Sequence, residues 1–347
     1  MATGVPPSEP EDRADTLGPG EIVRPEVRTE QLDVISLGQN ARAPGEIPAR
    51  GWWAVAKRVT REAISDRLPM VASSCAFYAM LALFPAISVL ISLYGLFLDP
   101  ATVEGQLEAV RDVLPGAAFE MVASRVHDLA SKGSTVLSWG VVIGTALALW
   151  SATFGTKALM NALNSAYEEH ESRGLIHYNL LAIGLTLSGI VGVAVALSII
   201  VGVPALLRFT WLGPIADIAV RLVSFLLLVG FVTLGLSVLY RLGPSRREAK
   251  WRWISPGSVM AAVLWLTASA LFSLYVGRFA TYDATYGPLG AVVVVLMWFY
   301  ISAFVVLLGA ELNAELELQT WRDTTTGPDK PMGKRGAYVA DHVAVTE

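Results

Sequence analysis

The residues with most potential for chemistry lie in one short stretch, LLGAELNAELELQ at 307–319, where three glutamates follow a long apolar run. Glu311 and Glu315 stand four residues apart, so on a helix they share one face and repel each other by roughly a few tenths of a kcal/mol. Two carboxylates on one face are typical of a metal site or of acid-base chemistry. They are equally typical of a helix that leaves a membrane. Which of these applies depends on the structural elements that position the two glutamates.

Recognisable catalytic motifs are otherwise missing from the sequence, which has no HExxH, GxSxG, Walker or GxGxxG pattern. Its four histidines lie in separate segments, at His127, His170, His177 and His342. The polar segment ALNSAYEEHESRG at 162–174 offers carboxylates and a histidine. The same residues are explained if the helix of the second span continues beyond the membrane. Polar residues of that helix would then form one stripe, which consists of Lys157, Asn161, Asn164 and Glu168. We therefore expect no enzyme activity, no cofactor and no metal site.

The composition is that of a membrane protein. Of the 347 residues, 54% are hydrophobic and only 16% are charged, whereas soluble chains are about 25% charged. Uncharged intervals close to the ~20 residues that cross a bilayer occur six times. We predict an all-α, polytopic membrane protein with a bundle of six transmembrane helices within residues 68–318. The predicted spans are about 70–98, 136–157, 179–207, 218–241, 255–278 and 288–311.

The segments outside the spans differ in character. Residues 1–50 contain seven prolines and few large apolar residues, a composition that predicts a disordered tail. Residues 51–67 place apolar side chains on one helical face and cations on the others, which predicts an amphipathic interfacial helix. Packing of that helix against the bundle explains the pattern equally well. Two amphipathic stretches within 99–132 predict a small external helical cap, and residues 319–347 are expected to form a C-terminal tail.

The positions of lysine and arginine predict the orientation of the spans. Five cations precede the first span, within 50–67, and five lie in RLGPSRREAKWRW at 241–253, between the fourth and fifth spans. Both segments are therefore expected in the cytoplasm, and six spans then place both termini there. Because this rule already explains the cations, we expect no nucleic-acid partner. The expected partners are membrane lipids, and a homo-oligomer is considered as well.

Small residues repeat every four positions in two of the spans, and such stripes let helices approach closely in lipid. The stripes consist of Gly140, Gly144 and Ala148 in the second span, and Gly184, Ser188 and Gly192 in the third. They predict that both helices are buried in the bundle.

Other residues in or near the spans are candidates to line a cavity or contact a substrate. These are Ser73, Ser74, Tyr78, Pro85, Asn161, Asn164, Tyr282 and Tyr286. Pro85 removes a backbone hydrogen bond and is expected to kink the first span. The three hydroxyls before it satisfy freed carbonyls or line a polar cavity, and the structural role is favoured. For Tyr282 and Tyr286 an aromatic belt is the default and a substrate contact the alternative.

Glu311 and Glu315 lie at the inner end of the sixth predicted span. A carboxylate partly inside a membrane is costly unless it is paired. We predict that Glu311, with Glu315 beside it, forms a polar tie that joins this helix to the bundle. The predicted partners of Glu311 are Lys157, Arg241, Asn161 and Asn164. The glutamates then mark a helix exit, and contact with a substrate is the lesser alternative.

Three stretches together resemble the YihY / virulence factor BrkB family of bacterial inner-membrane proteins. They are SSCAFYAMLALFPAISVL, LALWSATFGTKALMNALNSAYEEHESRG, and the run at 261–315 that contains TYGPLG and LLGAELNAE. The resemblance covers about residues 55–318 and implies a six-helix protein of the bacterial inner membrane. Some members look like transporters or flippases of lipids or lipid precursors, and the family formerly carried the label ribonuclease BN.

From this resemblance we expect a transporter or flippase-like handler of lipids or other amphiphilic envelope molecules. A non-catalytic membrane scaffold for envelope assembly is the alternative. A ribonuclease is less favoured, because the sequence shows no soluble domain with clustered carboxylates or histidines. The resemblance assigns no functional residues.

Overall fold

The computed structural model describes residues 37–97, 119, 123–124, 139–199, 213–279 and 288–344. These residues form eight α-helices, and their single β-bridge joins Ala249 to Thr325, so the predicted all-α class is confirmed. The helices are α1 Ala49–Ser65, α2 Leu68–Phe97, α3 Trp139–Ala166, α4 Leu175–Leu197, α5 Gly213–Leu242, α6 Trp251–Phe279, α7 Pro288–Leu318 and α8 Tyr338–Asp341.

Helices α2 to α7 are 23 to 31 residues long and overlap the six predicted spans. Within the described residues, four segments are long and apolar enough to cross a membrane. They are Leu175–Leu197, Leu222–Leu242, Trp251–Gly277 and Val292–Leu318, and a shorter apolar segment, Leu68–Leu83, lies in α2. Large apolar side chains such as Phe225, Leu226 and Leu227 are exposed on these helices. The count of six spans stays a prediction.

The long helices pack as two groups of three. In the first group α3 lies between α2 and α4, and in the second α6 lies between α5 and α7. Helix α7 joins the groups by packing against α2 and, less extensively, against α3. Among the residues that the structure describes, the contact between α4 and α5 is much smaller, so these parts of the two groups are joined mainly on the side of α7 and α2.

Two glycines bring the backbones of α6 and α7 close together. A Cβ atom added to Gly257 would lie 2.5 Å from Cγ of Asn313, and one added to Gly309 would lie 2.8 Å from the Gly257 carbonyl oxygen. Real Cβ atoms do not approach other atoms this closely. Only glycine therefore fits at these two positions.

The small-residue stripe predicted for the third span does not face α3, and of its members Gly192 is half-buried, opposite the Phe231 ring of α5. Helix α4 buries Ala182, Thr186 and Ile190, whereas Gly184 and Ser188 are exposed and Gly184 has open space beside it. The reason is that α4 has α3 as its main neighbour, so one face is enough for its packing. Ala148 of the other stripe is half-buried. The surroundings of Gly140 and Gly144 lie outside the part of the chain that the structure describes.

Both flanking segments are folded where the structure describes them. The predicted disorder of residues 1–50 does not hold for 37–50, where Ala41 and Ile47 are buried. The Thr320 hydroxyl contacts the carbonyl oxygens of Gln39 and Ala41, and residues 319–344 fold back along the end of the bundle. Backbone hydrogen bonds to a folded partner thus order an N-terminal segment that has little apolar surface of its own. Most of the predicted external cap lies outside the described residues.

Helix α1 packs against the bundle, which was the alternative to an interfacial position. Its Val55 and Val59 are buried in a cluster with Leu312 and Leu316 of α7. Trp53 on the opposite side remains 75% exposed. The amphipathic pattern therefore reflects one packed face and one open face.

Candidate functional site

Polar residues concentrate at one end of the bundle. We call this region the polar end, and it consists of residues 37–67, 157–178, 240–257 and 307–344. Within it, four polar side chains of α7 are at most 4% exposed: Glu311, Asn313, Glu315 and Glu317. Small and apolar residues between them, Ala310, Leu312, Ala314 and Leu316, keep the helix regular and are buried too. Helices α1, α2, α3 and α6 and the folded-back segment surround α7 here, so it has no solvated face.

Glu317 forms the most deeply buried ion pair of the polar end. Its Oε2 lies 2.7 Å from Nη2 of Arg246, with side-chain exposures of 0% and 2%. The Thr324 hydroxyl donates to the same oxygen, and the Arg246 guanidinium lies 5.0 Å above the ring of Tyr167. The pair therefore fixes the α5–α6 connection and the segment after α7 to one point.

Glu315 and Asn313 tie α7 to two further elements. Arg58 of α1 donates through Nε to Glu315 Oε2 and through Nη2 to Gln319 Oε1. The Gly257 backbone N–H donates to Asn313 Oδ1 at 2.8 Å, across the tight α6–α7 contact. Glu315 thus belongs to a polar tie as predicted, but its cation comes from α1.

Beside these ties lies a group of carboxylates, which we call the acidic cluster: Glu62, Asp66, Glu168 and Glu311. Single carboxylate oxygens of Glu62, Asp66 and Glu168 all lie within 4.8 Å of one another. The carboxyl groups of Asp66 and Glu311 lie next to each other. Burial, together with the charges of Glu168 and Glu62, raises the pKa of Asp66 to about 6. The cluster joins the end of α1, the turn after α1, the turn after α3, and α7.

The predicted partners of Glu311 are engaged elsewhere among the described residues. The Lys157 ammonium lies 4.8 Å from the centre of the Trp150 ring, which is two turns earlier on the same helix. Arg241 pairs with Glu248 at 2.6 Å. The predicted pairing of Glu311 with these cations is therefore corrected to contact with Asp66, while each cation contacts a group close to it in the chain.

Asn161 and Asn164 form hydrogen bonds near the end of α3. Asn164 is 5% exposed, accepts from the Ser245 N–H at 2.7 Å and donates to Glu171. Asn161 is exposed and accepts from the Tyr178 hydroxyl at 3.1 Å. Neither reaches Glu311 through a described hydrogen bond. Both connect α3 to the chain that follows it or to the α5–α6 connection.

The two serines of the first span form hydrogen bonds within their own helix. Ser73 and Ser74 donate to the carbonyl oxygens of Pro69 and Met70, one turn earlier. The carbonyl freed by Pro85 belongs to the residue four before it, so these serines do not satisfy it. Tyr78 is 41% exposed, and α2 continues as a helix through Pro85. Tyr282 and Tyr286 lie outside the described residues.

A salt bridge after α3 gives one prediction about pH. Hydrogen bonds from Arg173 lower the pKa of Glu171 from 4.5 to about 2. A lowered pKa stabilises the fold above the ordinary pKa, and that contribution is lost as the pH falls from 4.5 toward 2. We expect Glu171→Gln to be less stable than the wild type at neutral pH, with a difference that shrinks as the pH is lowered through this range.

Thermal unfolding of the detergent-solubilised protein at a series of pH values measures this difference. Asp329→Asn is the control, because Asp329 is 80% exposed and pairs only through one contact with Lys250. A Glu171→Gln deficit that stays constant from neutral pH to pH 2 would contradict the assignment.

Sequence reasoning missed the convergence of Glu62 and Asp66 on Glu168. The three residues lie in two segments about 100 positions apart, and only the packing of α2 against α3 brings those segments together. One backbone feature accompanies them: Glu168 has φ +55°, in the left-handed region that ends α3. The sequence attributes the carboxylates of the 162–174 segment to a helix that continues beyond the membrane, and Glu168 is indeed exposed, but it also lies beside Glu62 and Asp66.

Comparisons with known proteins agree with this architecture. The family model of virulence factor BrkB matches residues 59–333. The chain belongs to the virulence factor BrkB family. The BrkB match extends past α7 into the folded-back segment, so it includes the whole acidic cluster and the Arg246–Glu317 pair. No solved structure matches the chain.

Several relatives of this BrkB-family chain have names of their own. It is 32% identical over 255 residues to YfkH of Bacillus subtilis, which is named ribonuclease-like, covering 70% of this chain and 87% of YfkH. It is 29% identical over 260 residues to a UPF0761 membrane protein of Chlorobium phaeobacteroides, covering 72% of this chain and 54% of that protein. A UPF0761 membrane protein of Aromatoleum aromaticum is 28% identical over 271 residues, covering 74% and 62%. The chain thus spans little more than half of these UPF0761 relatives.

Proposed function

We propose that this BrkB-family membrane protein is a transporter that moves lipids or other amphiphilic envelope molecules across a bacterial inner membrane. In this proposal α2 to α7 all cross the membrane, and the polar end and both termini lie in the cytoplasm. The cations of 50–67 and 241–253 lie at the polar end, which supports that orientation by the rule that lysine and arginine stay inside.

The observation that carries the proposal is the weak contact between α4 and α5. We call the facing surfaces of Leu175–Leu197 and Leu222–Leu242 the seam. Across it, a Cβ added to Gly192 would lie 3.8 Å from the Phe231 ring, an ordinary contact. The other glycines of these segments have open space beside them: Gly184, Gly189, Gly230 and Gly235.

A seam of this kind suits the movement of an amphiphile. Transporters commonly work by rocking one group of helices against another around a central site. Here the two groups of three helices are joined through α7 and α2, so opening the seam breaks few contacts. An opening there faces the acyl chains directly, because the neighbouring side chains Leu222, Val223 and Leu226 are exposed and apolar.

Transport is tested with the full chain in liposomes that contain a fluorescent phospholipid, using quenching from outside to follow movement between leaflets. We expect movement faster than in protein-free liposomes. Joining Gly192→Cys to Phe231→Cys with a short bis-maleimide, in a Cys75→Ala background, is expected to reduce the rate to that of protein-free liposomes. The cross-link holds the seam closed and adds no bulk elsewhere.

The matched control is a cross-link within one helix group. An added Cβ on Gly155 lies 3.5 Å from the Cβ of Ala82, which suits a direct disulfide between Gly155→Cys and Ala82→Cys. This disulfide joins α2 to α3 and is expected to leave transport unchanged. Equal inhibition by both cross-links, or wild-type transport no faster than protein-free liposomes, would contradict the proposal, and the latter result would favour the membrane scaffold.

Because YfkH is named ribonuclease-like, the same protein preparation is also tested for ribonuclease activity. We expect no cleavage of RNA by the purified chain, in agreement with the absence of a catalytic motif in its sequence. Cleavage that persists through purification and is lost in Asp66→Asn would replace the transporter proposal with an enzyme.

A further inference from the structure

The acidic cluster has the geometry of a site for one cation. Oxygens that bind a single Ca²⁺ or Mg²⁺ lie about 2.0–2.6 Å from the ion, so two of them are at most ~5 Å apart. The closest carboxylate oxygens of Glu62, Asp66 and Glu168 meet this limit, since all lie within 4.8 Å of one another. They come from two segments of the chain, since Glu62 and Asp66 lie in the last turn of α1 and directly after it, and Glu168 lies in the turn after α3.

A second feature of the cluster comes from its buried side. Glu311 is 2% exposed, its carboxyl contacts that of Asp66, and its Oε1 has no hydrogen-bond partner. A buried polar atom without a partner costs about 1–3 kcal/mol, and more when it is charged. The Glu311 side chain is therefore directed into a group of carboxylates while one of its own oxygens remains unsatisfied.

Negative charges dominate the surroundings of Asp66 and Glu311. The charges that act most strongly on both Asp66 and Glu311 belong to carboxylates, namely those of the cluster itself and Glu315. Arg58, the nearby cation of α1, is committed to Glu315 and Gln319. Like charges held together at this spacing are unfavourable, and a cation bound among them would relieve the repulsion.

We propose that Glu62, Asp66 and Glu168 bind one divalent cation, with Glu311 as the buried fourth carboxylate behind Asp66. Carboxylate oxygens without histidine or cysteine favour Mg²⁺, Ca²⁺ or Mn²⁺ over Zn²⁺. The bound ion connects α1 and the start of α2 to the end of α3, with α7 behind it. This reverses the expectation from sequence that the chain holds no metal, and it does not depend on whether the protein transports lipid.

Binding is measured on the full chain, purified in a neutral detergent and freed of metal with EDTA. Mn²⁺ is the probe, since its free form is quantified by electron paramagnetic resonance. We expect one Mn²⁺ per chain, displaced by Mg²⁺ or Ca²⁺, and a rise in the thermal unfolding midpoint when either ion is added. Asp66→Asn and Glu168→Gln are expected to lose this binding, and Glu311→Gln to weaken it by about 10-fold or more.

The control is Glu169→Gln, which changes the neighbouring carboxylate. Glu169 accepts from the Tyr338 N–H and lies outside the group of three oxygens, so its variant is expected to keep one Mn²⁺ per chain. Glu168 is exposed, and Glu168→Gln is expected to be at least as stable as the wild type in EDTA because it removes repulsion.

Three results would overturn the proposal. The first is a wild-type chain that binds no Mn²⁺, or whose bound Mn²⁺ is displaced by neither Mg²⁺ nor Ca²⁺. The second is a pair of variants, Asp66→Asn and Glu168→Gln, that bind Mn²⁺ as tightly as the wild type. The third is a Glu168→Gln protein that is destabilised equally with EDTA and with added ion, because this carboxylate would then have only a structural role.

Discussion

Replacing Arg246 with methionine is expected to destabilise the protein by about 3–5 kcal/mol, because it leaves a fully buried carboxylate without its cation. Glu317 is 0% exposed, and its Oε1 already lacks a hydrogen-bond partner, so the ion pair through Oε2 is its main compensation. The Thr324 hydroxyl alone cannot balance a buried charge. The measurement is the unfolding free energy in mixed micelles, followed by the fluorescence of the ten tryptophans.

Two further variants separate the ion pair from simple packing. The double variant Arg246→Met, Glu317→Leu removes both charges, and apolar replacement of a buried pair is often neutral or stabilising, so most of the lost stability is expected to return. Arg241→Met breaks a pair whose carboxylate, Glu248, is 45% exposed, and is expected to cost about 1 kcal/mol or less. Equal effects of Arg246→Met and Arg241→Met would show that burial does not set the strength of these pairs.

The elements of the fold were predictable because each depends on local composition. Six uncharged runs predicted six long helices, and the structure has α2 to α7 at those places. The buried glutamates were also identifiable, since a carboxylate near the end of an apolar run has to find a partner. What local patterns cannot give is the identity of that partner, which depends on how the helices are arranged in space.

The pairings of α7 show this limit clearly. Arg58 and Glu315 are 257 positions apart, and nothing in either sequence segment selects the other. Lys157 was a reasonable partner for Glu311 by depth, but its ammonium lies over the ring of Trp150, two turns before it in α3. The small-residue stripe of α4 failed for a related reason, because spacing identifies a face that is able to pack without saying whether a neighbour is present.

The folded segment after α7 was the larger omission. Arg335 is 5% exposed and donates to four backbone carbonyl oxygens, including those of Trp321 and Ala340. Composition alone indicated a polar tail, since a single buried arginine that organises a loop has no periodic signal. This segment covers the end of α7, and it is the reason why Glu317 is buried rather than solvated at a helix exit.

The second large effect is expected from Gly257→Ala. The new methyl group would lie 2.5 Å from Asn313 and closer still to the Gly309 carbonyl oxygen. Overpacking of this kind costs about 1–3 kcal/mol, and more where backbone atoms must move. Separation of α6 from α7 would also lengthen the bond from the Gly257 N–H to Asn313 Oδ1. We expect a loss of about 3 kcal/mol, or a failure to accumulate in the membrane.

The sharpest comparison for Gly257→Ala is the same substitution at Gly184 of α4. A Cβ at Gly184 meets nothing within 4 Å, and alanine favours a helix interior over glycine by about 1 kcal/mol, so Gly184→Ala is expected to be neutral or stabilising. Unfolding in mixed micelles distinguishes the two variants directly. Similar losses at both positions would mean that α4 also packs closely through Gly184 in the membrane, against a second copy of the chain or across a closed seam. Opposite effects would instead place the rigid contact of the bundle between α6 and α7 and leave the surface of α4 free to move.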